Sequence, residues 1–458
     1  MNRRKFLSLA GASAGAAALS RSVFTRAQIA QKTASTHFEL NIAPVKVELA
    51  PGVVINTVGY NGQVPGPILR VQEGEPVDIH VVNHTDVPEL VHWHGLHIDS
   101  VNDGSSEEGS PVIAPGGELS YRFTPKPGGS RWYHTHTMAH EDLRRASYSG
   151  QYGFFYIEPK NGEPGAYDHE VFLAAHHWEP SIVHSGPPTN GHEITYKHAS
   201  FNDKLASAHE PLQVKQGERV LFHFLNASAT RNIQIALPNH QFKVIALDGN
   251  PVPSPQLVNV ISLAVAERVD AVVEMKTPGV WMLGAVDDED RGKGLGLPVE
   301  YAGQKGPAVW TAPEKIDWSY GIFGNATPVQ APVTRVPMVF EKAHAASDNE
   351  MERWTINGGI FPEIAPLKVK KGDRYRLSFL NTTSEAHPMH LHRHSFELAA
   401  LNGKPMSGIF KDVVNVGPFM RMDVDFVADN PGPSLFHCHQ QMHMDYGFMQ
   451  LFEYLPES

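Results

Sequence analysis

Three stretches of the chain share one order of apolar and polar positions. They are VQEGEPVDIHVVNHT at 71–85, VKQGERVLFHFLNAS at 214–228 and VKKGDRYRLSFLNTT at 369–383. Each has Val, Gly three residues on, an acidic residue, a β-prone run, and Asn followed two residues later by Ser or Thr. The Gly-acid pair predicts a turn, the Val-, Leu- and Phe-rich run a strand, and the Asn the start of the next turn. A second element recurs near the end of each copy. It reads KPGGSRWYHTH up to His136, TPGVWMLGA up to Ala285 and NPGPSLFHCH up to His439. Pro-Gly turns leading into short aromatic strands predict all-β sandwiches. With 39 Gly, 35 Pro and little helical periodicity, the chain reads as three domains, at 38–160, 165–310 and 335–458. A linker or long loop is expected around Gly303–Val336.

The repeat serves as a ruler. Nine and eleven residues after Asn83 stand His92 and His94; the same counts from Asn381 reach His390 and His392. From Asn226 they reach Ile235 and Leu237. Likewise His134 and His136 correspond to His437 and His439, against Met282 and Gly284 in the middle copy. The outer copies thus carry two His-x-His pairs each and the middle copy none. Alternate residues of a strand face the same side, so each pair presents two imidazoles together. Four such strands direct eight imidazoles into one cleft, a set suited to copper.

The chain has 26 His but a single Cys, so no intrachain disulfide is possible. Cys438 lies between His437 and His439 and points to the opposite face of their strand. With His387 and His443 nearby in sequence it makes the Cys-plus-two-His set of a blue-copper electron-transfer centre. An electron received at Cys438 reaches His437 and His439 along the backbone. In the first copy Thr135 stands in the cysteine's place, so no second blue site is expected there.

Net charge is −11, which argues against a nucleic-acid partner. Residues 1–30 open Met1-Asn2-Arg3-Arg4-Lys5-Phe6-Leu7 and continue apolar to Leu19, an export signal of the twin-arginine kind cleaved after Ala27 or Ala30. The mature protein is therefore expected in the periplasm or outside the cell. No later apolar run is long enough to span a bilayer.

Four motifs stand in order: His92-Trp93-His94-Gly95, Trp132-Tyr133-His134-Thr135-His136, His387-Pro388-Met389-His390-Leu391-His392, and His437-Cys438-His439 through His443 to Gly447-Phe448-Met449. With Pro65-Gly66-Pro67 and Asn430-Pro431-Gly432 they make the chain resemble the multicopper oxidases, which include laccases and bacterial cuprous oxidases. The resemblance implies three tandem cupredoxin-like Greek-key domains and four copper ions. It assigns His387, Cys438 and His443 to a type 1 copper that takes electrons from substrate. It assigns His92 and His390 to a type 2 copper, and His94, His134, His136, His392, His437 and His439 to a type 3 pair. Together these last reduce dioxygen to water. Asp103, nine residues after His94, resembles the family's proton-relay carboxylate. Where some cuprous oxidases have Glu after the second type 1 His, this chain has Met444, then Asp445 as the substitute relay. The axial position is Phe448, as in high-potential laccases, unless a one-residue shift brings in Met449. Arg393 replaces a common Gly and is expected to alter the substrate rim.

Three functions compete. A laccase-type enzyme would oxidise phenols or aromatic amines. A copper-tolerance enzyme would oxidise Cu(I), with Met420, Met422, Met442 and Met444 as soft ligands, although methionine is more often core filler. A metal-free or copper-carrying scaffold fits least, because every motif ligand is present. The partners expected are a small reducing molecule and dioxygen. One chain carries both metal-bearing domains, so a monomer suffices.

Overall fold

The structure is a computed structural model; it describes residues 36–160, 162, 166–185, 191–329, 334–343 and 351–456. The export signal at 1–30 lies outside these residues.

Alternation makes the repeated strands. In Val77–Asn83 the side chains of Val77, Ile79, Val81 and Asn83 are buried and those between are half-buried. Arg374–Asn381 repeats that pattern. The Asn closing each run is buried because it holds the next turn. Asn83 Nδ2 donates to Val87 O at 2.7 Å and to Ile113 O at 3.1 Å, while its Oδ1 accepts from Thr85 N–H. Asn381 donates likewise to Glu385 O and Gly417 O, and Asn226 to Arg231 O. The Asn-x-Ser/Thr repeat is thus a polar staple inside an apolar core, satisfied at both ends of its amide.

Among the described residues the strands pair into six sheets, two to each third of the chain. Strands between His37 and Glu158 form two four-stranded sheets. Strands between His169 and Tyr301 form sheets of six and five. Strands between Thr334 and Tyr454 form sheets of seven and five. The molecule is all-β, three Greek-key sandwiches in tandem, with a few short helical turns such as Gln441–Asp445. Among the described residues no strand lies between Tyr301 and Thr334; only a short turn at Tyr320–Ile322 interrupts that connection.

Strand pairing sets the histidine register. Val91–His94 lies against Gly129–Thr135 with His92 opposite His134. His387–Leu391 lies against Ser434–Cys438 with His390 opposite His437. In the middle domain Ile235 lies opposite Ala285. The counterpart of His134 is therefore Ala285 and not Met282. Counting along one strand alone missed the partner that defines the position. The middle domain still offers no ligand there.

The first two sandwiches meet across buried charge. Arg70 pairs with Glu158 of its own domain and Glu170 of the next. His223 Nδ1 lies 2.9 Å from Asp270 Oδ1 and its Nε2 3.4 Å from Glu170 Oε2. Burial opposes charge on His223, but Asp270 and Glu170 outweigh it and raise its pKa to about 9. That lies above the value of about 6.5 in an unfolded chain. The stabilisation is complete below about pH 6.5 and is lost as pH rises towards about 9. Melting temperature should fall over that window, and His223→Gln should flatten the fall. An equally steep decline in the variant would contradict the assignment.

Candidate metal centre

Two clusters of metal-ligating side chains converge in the third sandwich and at its junction with the first. The smaller holds Cys438. Its Sγ lies 3.4 Å from His443 Nδ1 and 3.9 Å from His387 Nδ1, and the two nitrogens are 3.2 Å apart. All three residues are buried. Burial keeps both imidazoles neutral, holding His443 at about 3, and pushes the thiol up. Only a cation reverses that preference of the sulfur, since a metal deprotonates a coordinating thiol outright. Thr383 Oγ1 lies 2.8 Å from His387 Nε2, leaving Nδ1 to face the sulfur. Trp354 stacks on the His443 ring at 3.8 Å and donates its indole N–H to Glu385, whose carboxylate lies 3.7 Å from His443 Nε2. Phe448 shares the core cluster of Cys438 and sets its ring 5.0 Å from that of His387. Met449 packs elsewhere, with Leu435 and Met444. Phe448, and not Met449, thus shares the apolar cluster that surrounds Cys438.

The larger cluster contains eight buried histidines from two domains. Rings interleave across the junction: His92 stacks on His392 at 4.0 Å and His94 on His390 at 3.8 Å. His392 Nε2 lies 3.0 Å from His437 Nε2, and His94 Nδ1 3.4 Å from His134 Nε2. His92 Nε2, His390 Nε2, His439 Nε2 and both nitrogens of His136 have no hydrogen-bond partner. Buried nitrogens left unpaired and facing one another cost free energy unless a cation sits among them. Burial, reinforced by the neighbouring imidazoles, holds His94, His134, His392, His437 and His439 well below the usual range, hence neutral and ready to ligate. The groupings His92–His390–His392, His136–His392–His437 and His92–His94–His134 each bring their donor atoms within 4.8 Å of one another. The donor set fits copper ions.

Carboxylates support these rings. Asp103 is fully buried, its Oδ2 2.8 Å from His392 Nδ1 and 3.1 Å from His92 Nδ1. Burial alone would raise its pKa; the imidazole of His92 reverses that and holds it low. Beside it Glu108, accepting from Leu435 N–H, is driven far above the carboxylate range by burial and by Asp103. Asp445 accepts from the backbone N–H of Ala139 and His140 across the domain junction. Burial pushes it up to about 6.

Comparison with known proteins follows the same pattern. Family models described as multicopper oxidase match residues 41–162, 174–297 and 334–458. The chain belongs to the multicopper oxidase family. It is 29% identical over 452 residues to multicopper oxidase MmcO of Mycobacterium tuberculosis, covering 90% of this chain and 86% of that protein. The crystal structure of a multi-copper oxidase from Pseudomonas thermotolerans superposes with a TM-score of 0.71 at 26% identity, over 92% of this chain and all of the other. A laccase from Botrytis aclada shares the cupredoxin fold, with a TM-score of 0.75 at 20% identity over 91% of this chain and 87% of that one.

One expectation for this oxidase changes. Arg393 is not at a substrate rim. It is 1% exposed, with φ +64°, the left-handed backbone that explains why Gly suits the position. Its guanidinium donates to the carbonyls of Ile98, Asn430, Pro431 and Pro433, tying the third domain to the first. Arg393→Ala should therefore cost about 3 kcal/mol of stability by orphaning buried carbonyls, read by denaturant unfolding, and leave substrate preference unchanged. A shifted preference at unchanged stability would contradict this placement. The four methionines divide between two apolar clusters. Met422 and Met442 pack in the large core, with Met420 at its edge, whereas Met444 packs with Leu435 and Met449. Glu108, Glu385, Trp354 and Asp412 escaped sequence reasoning, because nothing in local spacing marks a residue whose partner is far along the chain.

Proposed function

We propose that this oxidase takes single electrons from phenols or aromatic amines at a type 1 site and delivers them to dioxygen at a three-copper site. In this reading His387, Cys438 and His443 hold the type 1 copper. His92 and His390 hold the type 2 ion, and the other six histidines the type 3 pair. The observation that carries it is the convergence of eight buried imidazoles, several with orphaned nitrogens, one peptide bond from a buried Cys-His-His set. When bound, the coppers supply one-electron redox chemistry and reduction of dioxygen.

The protein's own residues do the rest. Burial and the Phe448 ring keep water from Cys438. The peptide bonds joining Cys438 to His437 and His439 give a covalent route between the two sites. Asp103, ionised and touching His392 and His92, orients both rings and serves as proton relay. Asp445, hydrogen-bonded at the same junction, is a second relay. A hollow of about 540 Å³ between the middle and third domains supports an organic reductant. Trp318 and Met420 line it with Asp287, Asp290 and Glu267, and its residue Asn415 adjoins Val416, the strand partner of His387. The twin-arginine opening supports export to the periplasm or beyond.

Steady-state turnover of a phenol, an aromatic amine and Cu(I) by the copper-loaded protein tests the substrate. Organic turnover should exceed that of Cu(I), and Met420→Leu with Met422→Leu should leave Cu(I) turnover unchanged. Loss of Cu(I) turnover in that variant would favour a cuprous oxidase instead.

A further inference from the structure

Histidines of the larger cluster are held in two different orientations. His92, His134, His390 and His437 each direct Nδ1 at a backbone carbonyl, those of Asp103, Thr135, Asp412 and Cys438, at 2.7–2.9 Å. That contact requires Nδ1–H and leaves Nε2 as the free lone pair. His94 is reversed. Its Nε2 lies 3.0 Å from Asp412 Oδ1, and its Nδ1 faces the cluster. Asp412 is fully buried, and both its carboxylate oxygens accept from the guanidinium groups of Arg268 and Arg131. The carboxylate can only accept, so His94 must carry its proton on Nε2.

What holds Asp412 comes largely from the middle domain, the one with no ligands. Arg268 grips both carboxylate oxygens, Nη1 at 2.7 Å from Oδ1 and Nη2 at 2.5 Å from Oδ2. Asp248, also of the middle domain, accepts from the backbone N–H of Val413 at 3.1 Å and from Lys411 Nζ at 2.9 Å. Arg131 of the first domain reaches Asp412 Oδ2 at 3.2 Å. Asp412 also offers its backbone carbonyl to His390. One buried aspartate therefore touches a ligand from each metal-bearing domain, and a fork-to-fork arginine contact fixes its plane.

We infer that Arg268 and Asp412 form a positioning pair through which the metal-free middle domain sets the tautomer and orientation of His94. The middle domain is then part of the oxygen-reducing centre and not a spacer. This rests on the reading of the eight histidines as copper ligands, but its first test does not. In the metal-free wild-type protein, ¹⁵N spectra of labelled histidine should show His94 protonated on Nε2, and His92, His134, His390 and His437 on Nδ1. His94 protonated on Nδ1 would overturn the inference whatever the protein binds.

Variants supply the second test. Asp412→Asn keeps size and removes charge, and its amide can donate to His94 Nε2. It should mix the His94 tautomers in the metal-free protein and weaken copper binding at the eight-histidine cluster by about 10- to 100-fold. The blue absorption of the Cys438 site should persist. Arg268→Met should act in the same direction and Arg268→Lys should recover part of the loss. Full copper retention in Asp412→Asn with an unchanged His94 tautomer would overturn the inference. So would equal loss of the blue site, since that is general unfolding. If Arg268→Met fails to fold, the wild-type tautomers and Asp412→Asn still decide. If wild-type protein took up no copper at the histidine cluster, the functional reading would fail while the tautomer test stood.

Discussion

Replacing Cys438 with Ser should bleach the blue colour, remove one copper per chain and bring substrate oxidation to background. The thiolate is the strong ligand of the set, and a serine hydroxyl in this buried pocket neither ionises nor gives the soft donor that copper prefers. The side chain faces His443 and His387 and sits in a packed core with Phe448. Ser is close in size to Cys, so the fold should survive and the eight-histidine cluster should still fill. Copper analysis and visible absorption separate these outcomes. A serine variant that kept its colour would place the type 1 site elsewhere. One that lost all copper would mean that Cys438 acts through folding.

His94→Ala should do the converse. The blue band should remain, because no atom of His94 belongs to the Cys438 site, while dioxygen consumption should fall by at least about 100-fold. His94 is central: it stacks on His390, approaches His134 and is anchored on Asp412. Removing it also strips a hydrogen bond from a buried carboxylate, but Arg268 and Arg131 still pair with that charge, so collapse is not expected. Oxygen electrode traces beside visible spectra check both halves. Normal oxygen reduction in the variant would refute its place in the cluster.

Much of this was legible in the chain because it is locally encoded. The His-x-His pairs follow from strand alternation and from the repeat that fixes their distance from Asn83 and Asn381. Placing Cys438 on the face opposite His437 and His439 needs only the period of a strand. What was illegible depends on contacts between distant positions. Nothing near Asp412 announces that its carboxylate meets Arg268 and Arg131, each more than a hundred residues away. Glu108 looks like a loop carboxylate until Leu435 and His392 close on it. Arg393 misled in the other direction. Its chemistry suggested a rim, whereas its positive φ and carbonyl partners make it a clamp. The middle-domain register slipped because pairing, not counting, defines equivalence on strands.

The central claim is that the outer domains share one copper site built from both. Anomalous diffraction at the copper edge on crystals of the copper-loaded protein tests it most directly. Peaks should appear among His92, His94, His134 and His136 on one side and His390, His392, His437 and His439 on the other, with a separate peak at Cys438. Copper at Cys438 alone, or within one domain's histidines only, would contradict it.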